Sequence, residues 1–390
     1  MHGEEDYVLP FGPQHPALAE PVLLNLKLDG EKVISAEARF GYMHRGIEKM
    51  LEGKTPEKGI MICERICGIC PVSHSTCYTL AVENAADEPI NNKIAYERMI
   101  LAELERMHSH LVCVGLQMHD MGFDTLFMFL WRERERILDI FEKITGGRVQ
   151  HSSNRIASVN FDISGIENYI INEMNEIKKN IARYKQEYSG NDVLHERTRN
   201  IGTISKKDAE KLHLVGPIAR ASGVGQDIRT REPYLKYNEF DYQPIVFDMG
   251  DVYERTFLRI EEIFSSAELV KKIVEKTPDT KIFTSKICKT ISEDCQGIQR
   301  VEAPRGELFY FVEIKNNLIN RCRMRPPTYA YIQALEPLLT DCKLGDVPMI
   351  VSSIDPCFAC LDRVMLESQN EKRLLKKNEF KRLCGVHTHD

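Results

Sequence analysis

Residues 63 to 77 read CERICGICPVSHSTC and place four of the chain's twelve cysteines, with one histidine, in a single short stretch. Near the other end, DPCFACLDR (residues 355 to 363) repeats the spacing, so that Cys357 and Cys360 match Cys67 and Cys70. Two CxxC pairs supply four thiolates, and soft sulfur donors of this kind suit zinc, iron or nickel. A structural zinc site is the plain alternative, although zinc ribbons bring their pairs much closer together in sequence. A thioredoxin-like redox pair needs the strand-to-helix turn of a βαβ unit, and neither CxxC reads as one. The other cysteines, among them Cys63, Cys77, Cys113 and Cys342, read as buried small hydrophobes and stay outside the site.

Sulfur set so far apart needs a large fold to bring it together. A chain of 390 residues suffices for one big domain or two ordinary ones, and 43% apolar with 28% charged residues is the composition of a soluble globular protein. The net charge of -6, with Lys and Arg interspersed among Asp and Glu, argues against a nucleic-acid partner. The start, MHGEEDYVLPFGPQHP, is acidic where a secretory leader is basic, and the sequence holds no apolar run of about eighteen residues. Membrane association is therefore expected through a partner, and reduced thiols in the cytoplasm fit the cysteine usage better than disulfides.

The positioning elements read as follows. Residues 22 to 40 alternate apolar and polar side chains around DGEK, a hairpin signal. From Asn91 to Met118, Ile94, Leu101, Leu104, Met107 and Leu111 recur at helical spacing with Glu and Arg between them. A second helix runs through TLFMFLWRERERILDIFEKITGG to its glycine pair. Residues 166 to 189 and 205 to 213 also read as helices, the latter capped by Ser205. Residues 307 to 323 alternate around KNN as another hairpin, and a helix is expected over 328 to 341. With no repeat and no linker, the expectation is a helix-dominated α+β domain with small antiparallel sheets.

RICGICPVSH followed by DPCFAC resembles the paired signatures of the large subunit of nickel-iron hydrogenases. The resemblance implies that family's fold and a nickel ion held by all four cysteines. Cys67 and Cys357 would be terminal ligands; Cys70 and Cys360 would bridge to an iron carrying carbon monoxide and cyanide. His74 would donate to a bridging sulfur. Arg305, in EAPRGEL, would sit over the open metal position with Asp355 as its carboxylate partner. Pro327 and Thr328, in RPPTYA, would pack against a cyanide ligand. Glu20, in GPQHPALAEP, corresponds to the proton-relay glutamate near a bridging thiolate, and Glu48, in GYMHRGIEK, is the next relay or supporting carboxylate. Magnesium is a further candidate ion.

Those two segments, with ELERMHSHL and VGPIARASGVGQDIRTREPY, resemble the branch shared by membrane-bound energy-converting hydrogenases and the 49 kDa quinone-site subunit of complex I. The likeness covers most of residues 8 to 363. Complex I relatives lack the nickel cysteines, whereas this chain keeps all four, and the methanogen type of hydrogenase is the nearest in pattern. The implied reaction is reversible H2 oxidation coupled to ferredoxin reduction and ion translocation. No other cysteine cluster here supplies the four thiolates of a 4Fe-4S centre. The implied partners are an iron-sulfur small subunit, ferredoxin-type proteins and integral membrane ion-translocating subunits, with this chain peripheral on the cytoplasmic side of the cell membrane. Residues 1–363 form the expected domain. The extension 364–390 is a candidate for removal by a maturation endopeptidase after Arg363, or else a retained basic amphipathic helix. Two other readings stand beside this one: a complex I-like NADH-quinone oxidoreductase subunit, and a structural zinc-binding subunit.

Overall fold

The computed structural model describes residues 7–279 and 294–363; the extension 364–390 lies outside the described residues. Its N-terminal hairpin forms as the sequence suggests. Strands β2 (Leu23–Asp29) and β3 (Lys32–Arg39) pair antiparallel, with Asp29 opposite Lys32 across the tight turn, and β1 (Tyr7–Phe11) adds to the free edge of β2. Alternate residues of β2, Leu24, Leu26 and Leu28, face the core. The connection from β1 to β2 carries Glu20.

Six helices follow: α1 (Ile47–Leu51), α2 (Pro56–Glu64), α3 (Pro71–Ala86), α4 (Asn92–Asp120), α5 (Asp124–Thr145) and α6 (Glu167–Gly190). Asn91 caps α4 by accepting from Ile94 N–H, and Gly146, at φ 78, terminates α5 in the left-handed region. Helix α4 is central and buried almost throughout. It packs against α5 and against a long helix that the sequence analysis did not identify, α7 (Val252–Lys276), itself capped by Asp251. The Glu and Arg residues that lie between the apolar positions of α4 are buried, and several are paired. Arg98 meets Glu83, and Glu103 receives Arg106 and Arg229, the latter also held by Asp227. A buried ion pair survives only when its hydrogen bonds are made; α3 supplies Glu83, and segment 220–229 supplies Asp227 and Arg229.

The second sheet is three-stranded: β4 (Cys295–Ala303), β5 (Gly306–Lys315) and β6 (Leu318–Arg325) in sequential antiparallel order. Asn316 and Asn317 take positive φ in the expected KNN turn, while β4 is an added strand. One helix expectation is corrected. Residues 328–341 are not continuous: α8 (Pro327–Tyr331) passes into a 3-10 turn at Ile332–Ala334 and then a short helix at Leu335–Leu339. Pro337 has no N–H for the carbonyl four residues back, which breaks the regular ladder. Helices α9 (Val347–Ile354) and α10 (Phe358–Leu361) complete the described chain.

Candidate metal centre

The first CxxC lies in the connection from α2 to α3, and the second runs from the end of the α9–α10 connection into α10; neither follows a strand. Cys70 is the N-cap of α3 and Pro71 its first residue, so the helix begins immediately after the pair and directs its N-terminus at the sulfurs. Asp355, in the left-handed region at φ 55, ends α9; Cys357 then caps α10. The two connections meet. Cys67 Sγ lies 3.6 Å from Cys357 Sγ, and Cys70 Sγ lies 3.4 Å from Cys360 Sγ. All four thiols are free and buried. Cys67 is held well below the usual thiol range because Cys357, Cys360 and Cys70 all direct hydrogen bonds at its sulfur. Donation to Cys357, Cys67 and Cys70 pushes Cys360 up.

The surrounding residues converge on this cluster. His74, one turn into α3, places Nε2 3.4 Å from Cys360 Sγ and Nδ1 2.8 Å from the Tyr310 hydroxyl of β5. With Tyr310 as donor, the Nε2 proton is left for the sulfur. Burial lowers the His74 pKa to about 4, so the ring is neutral. Arg305, at the β4–β5 turn, donates from Nη2 to Asp355 Oδ1 at 2.8 Å, from Nε to the Asp355 carbonyl at 3.0 Å and from Nη1 to Ser109 Oγ at 3.1 Å. Burial would weaken its proton affinity, but Asp355 and the thiols outweigh it and hold the guanidinium charged. Burial pushes the Asp355 carboxyl above its ordinary range against the Arg305 charge. Thr328 Oγ1 accepts from Cys357 N–H at 3.0 Å, and Pro327, Thr328, Arg305 and His74 line a small cavity with Cys70 and Cys360.

Glu20 arrives from the β1–β2 connection. Its Oε1 is 3.6 Å from Cys357 Sγ, while Oε2 accepts from Phe358 N–H and, at 3.1 Å, from Ala359 N–H. The sulfur it touches is thus Cys357, a terminal ligand in the implied scheme, and not one of the bridging pair. Burial, then the nearby Cys67 charge, raises its pKa from the ordinary 4.5. Glu48 does not join the cluster. Its carboxylate is taken by Arg323 at 2.7 Å, Met324 N–H at 3.1 Å and Arg363 at 3.0 Å, which ties α1 to β6 and to the end of the second cysteine loop.

Sequence reasoning missed three contributors. Glu105 of α4 receives Val72 N–H at 2.6 Å, Ser73 N–H at 2.9 Å and the Ser73 hydroxyl, closing the N-terminus of the cysteine-bearing helix. Tyr310 orients His74, and Asp362 anchors the second loop to residues 45 and 47. Glu105 and Ser109 stand in the quoted segment ELERMHSHL, where a carboxylate among apolar helix positions was the available signal.

The donor set fits a soft metal. Among the described residues, the groups of three or more side chains close enough to share an ion are Cys67, Cys357 and Cys360, and Cys70, His74 and Cys360. Neither group includes a carboxylate suited to magnesium.

Comparison with known proteins agrees with this chemistry. Residues 120–296 and 288–363 match the family described as respiratory-chain NADH dehydrogenase, 49 Kd subunit, and residues 45–192 match the nickel-dependent hydrogenases. The alpha chain of the membrane-bound hydrogenase of Pyrococcus furiosus is 32% identical, covering 96% of this chain and 92% of its own length. One component of the F(420)H(2) dehydrogenase of Methanosarcina mazei is 35% identical over 93% of this chain and 99% of its own. A chain of the membrane-bound sulfane sulfur reductase, an archaeal respiratory membrane complex, superposes with a TM-score of 0.87 at 27% identity, covering 93% of this chain and all of that one. No helix among the described residues is long and apolar enough to cross a membrane. The chain belongs to the family that joins the large subunits of membrane-bound nickel-iron hydrogenases to the 49 kDa subunits of respiratory NADH dehydrogenases.

Proposed function

We propose that this chain is the catalytic subunit of an energy-converting nickel-iron hydrogenase, carrying out reversible heterolytic cleavage of H2. One observation carries the reading: four free thiols from two remote CxxC loops meet in pairs at 3.6 and 3.4 Å beside a buried arginine–aspartate pair. A quinone-site subunit has no use for such a cluster, and a structural zinc site has no use for the arginine. Cys67, Cys70, Cys357 and Cys360 would hold nickel, and Cys70 and Cys360 would share an iron with carbon monoxide and cyanide ligands. That pair supplies, when bound, an open Lewis-acidic position at which H2 is polarised.

The chain's own residues do the rest. Cys357 Sγ accepts the proton and hands it to Glu20 Oε1 at 3.6 Å, a carboxyl whose proton affinity is raised by burial. Arg305, kept charged by Asp355 and the thiols, acts as an electrostatic stabiliser in preference to a base. His74 tunes Cys360 through Nε2–H, and Thr328 fixes Cys357 through its N–H. Electrons leave through an iron-sulfur small subunit toward ferredoxin-type proteins, and integral membrane subunits couple the transfer to ion movement. The name of the membrane-bound hydrogenase relative supports this placement at a membrane, where the chain would sit peripherally on the cytoplasmic face. Residues 1–363 form the catalytic domain, and an endopeptidase removes 364–390 during maturation.

The test is isotope exchange. Anaerobically purified complex under D2 in H2O should release HD, and Cys67→Ser should abolish it. A wild-type complex without exchange, reducing quinone instead, would overturn the reading.

A further inference from the structure

The segment at residues 44–48 crosses behind both cysteine loops, and Arg45 touches each of them. Its Nη2 donates to the carbonyl of Ile66, the residue before Cys67, at 2.6 Å. The same nitrogen donates at 3.1 Å to the carbonyl of Ala359, which lies between Cys357 and Cys360, and Nη1 reaches the Arg65 carbonyl at 3.1 Å. One guanidinium therefore spans two loops that are remote in sequence. Its own main chain is fixed at the other side. Arg45 N–H and Ile47 N–H donate to the two oxygens of Asp362 at 2.7 and 2.8 Å, and His44 Nδ1 lies 3.2 Å from the Asp362 carbonyl. Asp362 is 2% exposed. Gly46, between the two donors, has φ 67, which turns both N–H groups onto one carboxylate and which other residues adopt at a cost.

We infer that Arg45 is a positioning residue that sets the separation of the two cysteine pairs. Its side chain touches no sulfur and lies at the surface. It works through main-chain carbonyls next to the ligand cysteines, where a displacement of the peptide moves the thiol with it. The planar fork matters because it fixes Nη2 between the Ile66 and Ala359 carbonyls while Nη1 is anchored on the Arg65 carbonyl, a second rigid anchor that a lysine ammonium lacks. Because Arg45 is exposed, its loss strands no buried charge and removes one shared donor group from three main-chain carbonyls. The effect on spacing is thereby separable from the effect on folding. The inference extends the proposed metal site, but the spacing itself is measurable without metal.

Two measurements on the full-length chain test it. In metal-free protein, dibromobimane should bridge Cys67 to Cys357, read by mass spectrometry. Arg45→Gln should slow that bridging about tenfold with an unchanged Tm, and Arg45→Lys should also slow it. In the purified complex, Arg45→Gln should release nickel to a chelator about tenfold faster than wild type. Equal bridging rates in wild type and Arg45→Gln, or slower bridging accompanied by a fall in Tm, overturn the inference. Wild-type protein that lacks nickel yet shows Arg45-dependent bridging would overturn the metal reading and leave the positioning role standing.

Discussion

Glu20→Gln separates proton transfer from metal holding, because the glutamine keeps the shape of the side chain and deletes its proton site. The glutamine carbonyl can accept from Phe358 and Ala359 N–H as Oε2 does now, and its amide can face Cys357 Sγ, an acceptor. The tether to the second cysteine loop survives, weakened by the difference between charge-assisted and neutral hydrogen bonds, about 1–2 kcal/mol at most. Part of that is recovered because no carboxylate need be buried. The loss of a positioned acid–base group, by contrast, costs about 10²–10⁴ in rate, or about 3–5 kcal/mol in barrier. The two scales do not overlap, so the variant should retain nickel and nearly the wild-type Tm while HD formation falls by two to four orders of magnitude. Glu20→Asp, one methylene shorter, should lie between. The assay is mass-spectrometric HD release under D2 with nickel quantified on the same sample. Exchange within about tenfold of wild type in a nickel-loaded variant would refute the relay.

Arg305→Lys should keep the pairing with Asp355 but lose the bonds to Ser109 and the Asp355 carbonyl, leaving metal bound and turnover down about 10²–10³-fold; near-full activity in a kinetic assay would contradict its role. His108 accepts from Arg134 Nε at 3.0 Å, and burial lowers its pKa to about 3 from 6.5. Above pH 6.5 neither the folded nor the unfolded chain protonates it; as pH falls toward about 3 only the unfolded chain does, so stability drops by about 1.4 kcal/mol per unit. Urea unfolding between pH 7 and 5 should show this slope, and His108→Gln should flatten it by about one proton; an unaltered slope would refute the assignment. Glu105→Gln presents an amide where a carboxylate now receives Val72 and Ser73 N–H, and should destabilise the metal-free chain by about 1–3 kcal/mol in urea unfolding; no measurable loss would mean those donors find other partners.

Much of the scaffold was legible because local chemistry and tertiary packing agree. Asp29-Gly30 and Asn316-Asn317 turn the two hairpins, Asn91 starts α4 and Gly146 stops α5, each by a preference that needs no distant partner. What stayed hidden depends on neighbours. Strand β4 contains Gly297, which reads as a breaker, yet a Cβ there would collide with the Ala81 carbonyl; close approach of α3 demands the glycine. The charged positions of α4 look solvated until Asp227, Arg229 and Glu83 arrive to pair with its arginines and Glu103. In the site, the four cysteines were legible from residue type and spacing, and His74, Arg305 and Asp355 only through the family resemblance; the structure brings all seven together. Glu48 reads as a relay candidate because residue order does not reveal that Arg323 and Arg363 occupy its carboxylate. Arg45 and Asp362 work through main-chain groups, which leave no mark in residue type.

The central claim is that the two cysteine pairs grip one nickel-iron centre. Anaerobic purification of the complex, followed by metal quantification and infrared spectroscopy on the same sample, tests it most directly. Nickel and iron bound to this chain, with carbon monoxide and cyanide stretching bands that vanish in Cys360→Ser, is the predicted result. Zinc alone in the cysteine cluster, or a cluster with no metal at all, would contradict the account.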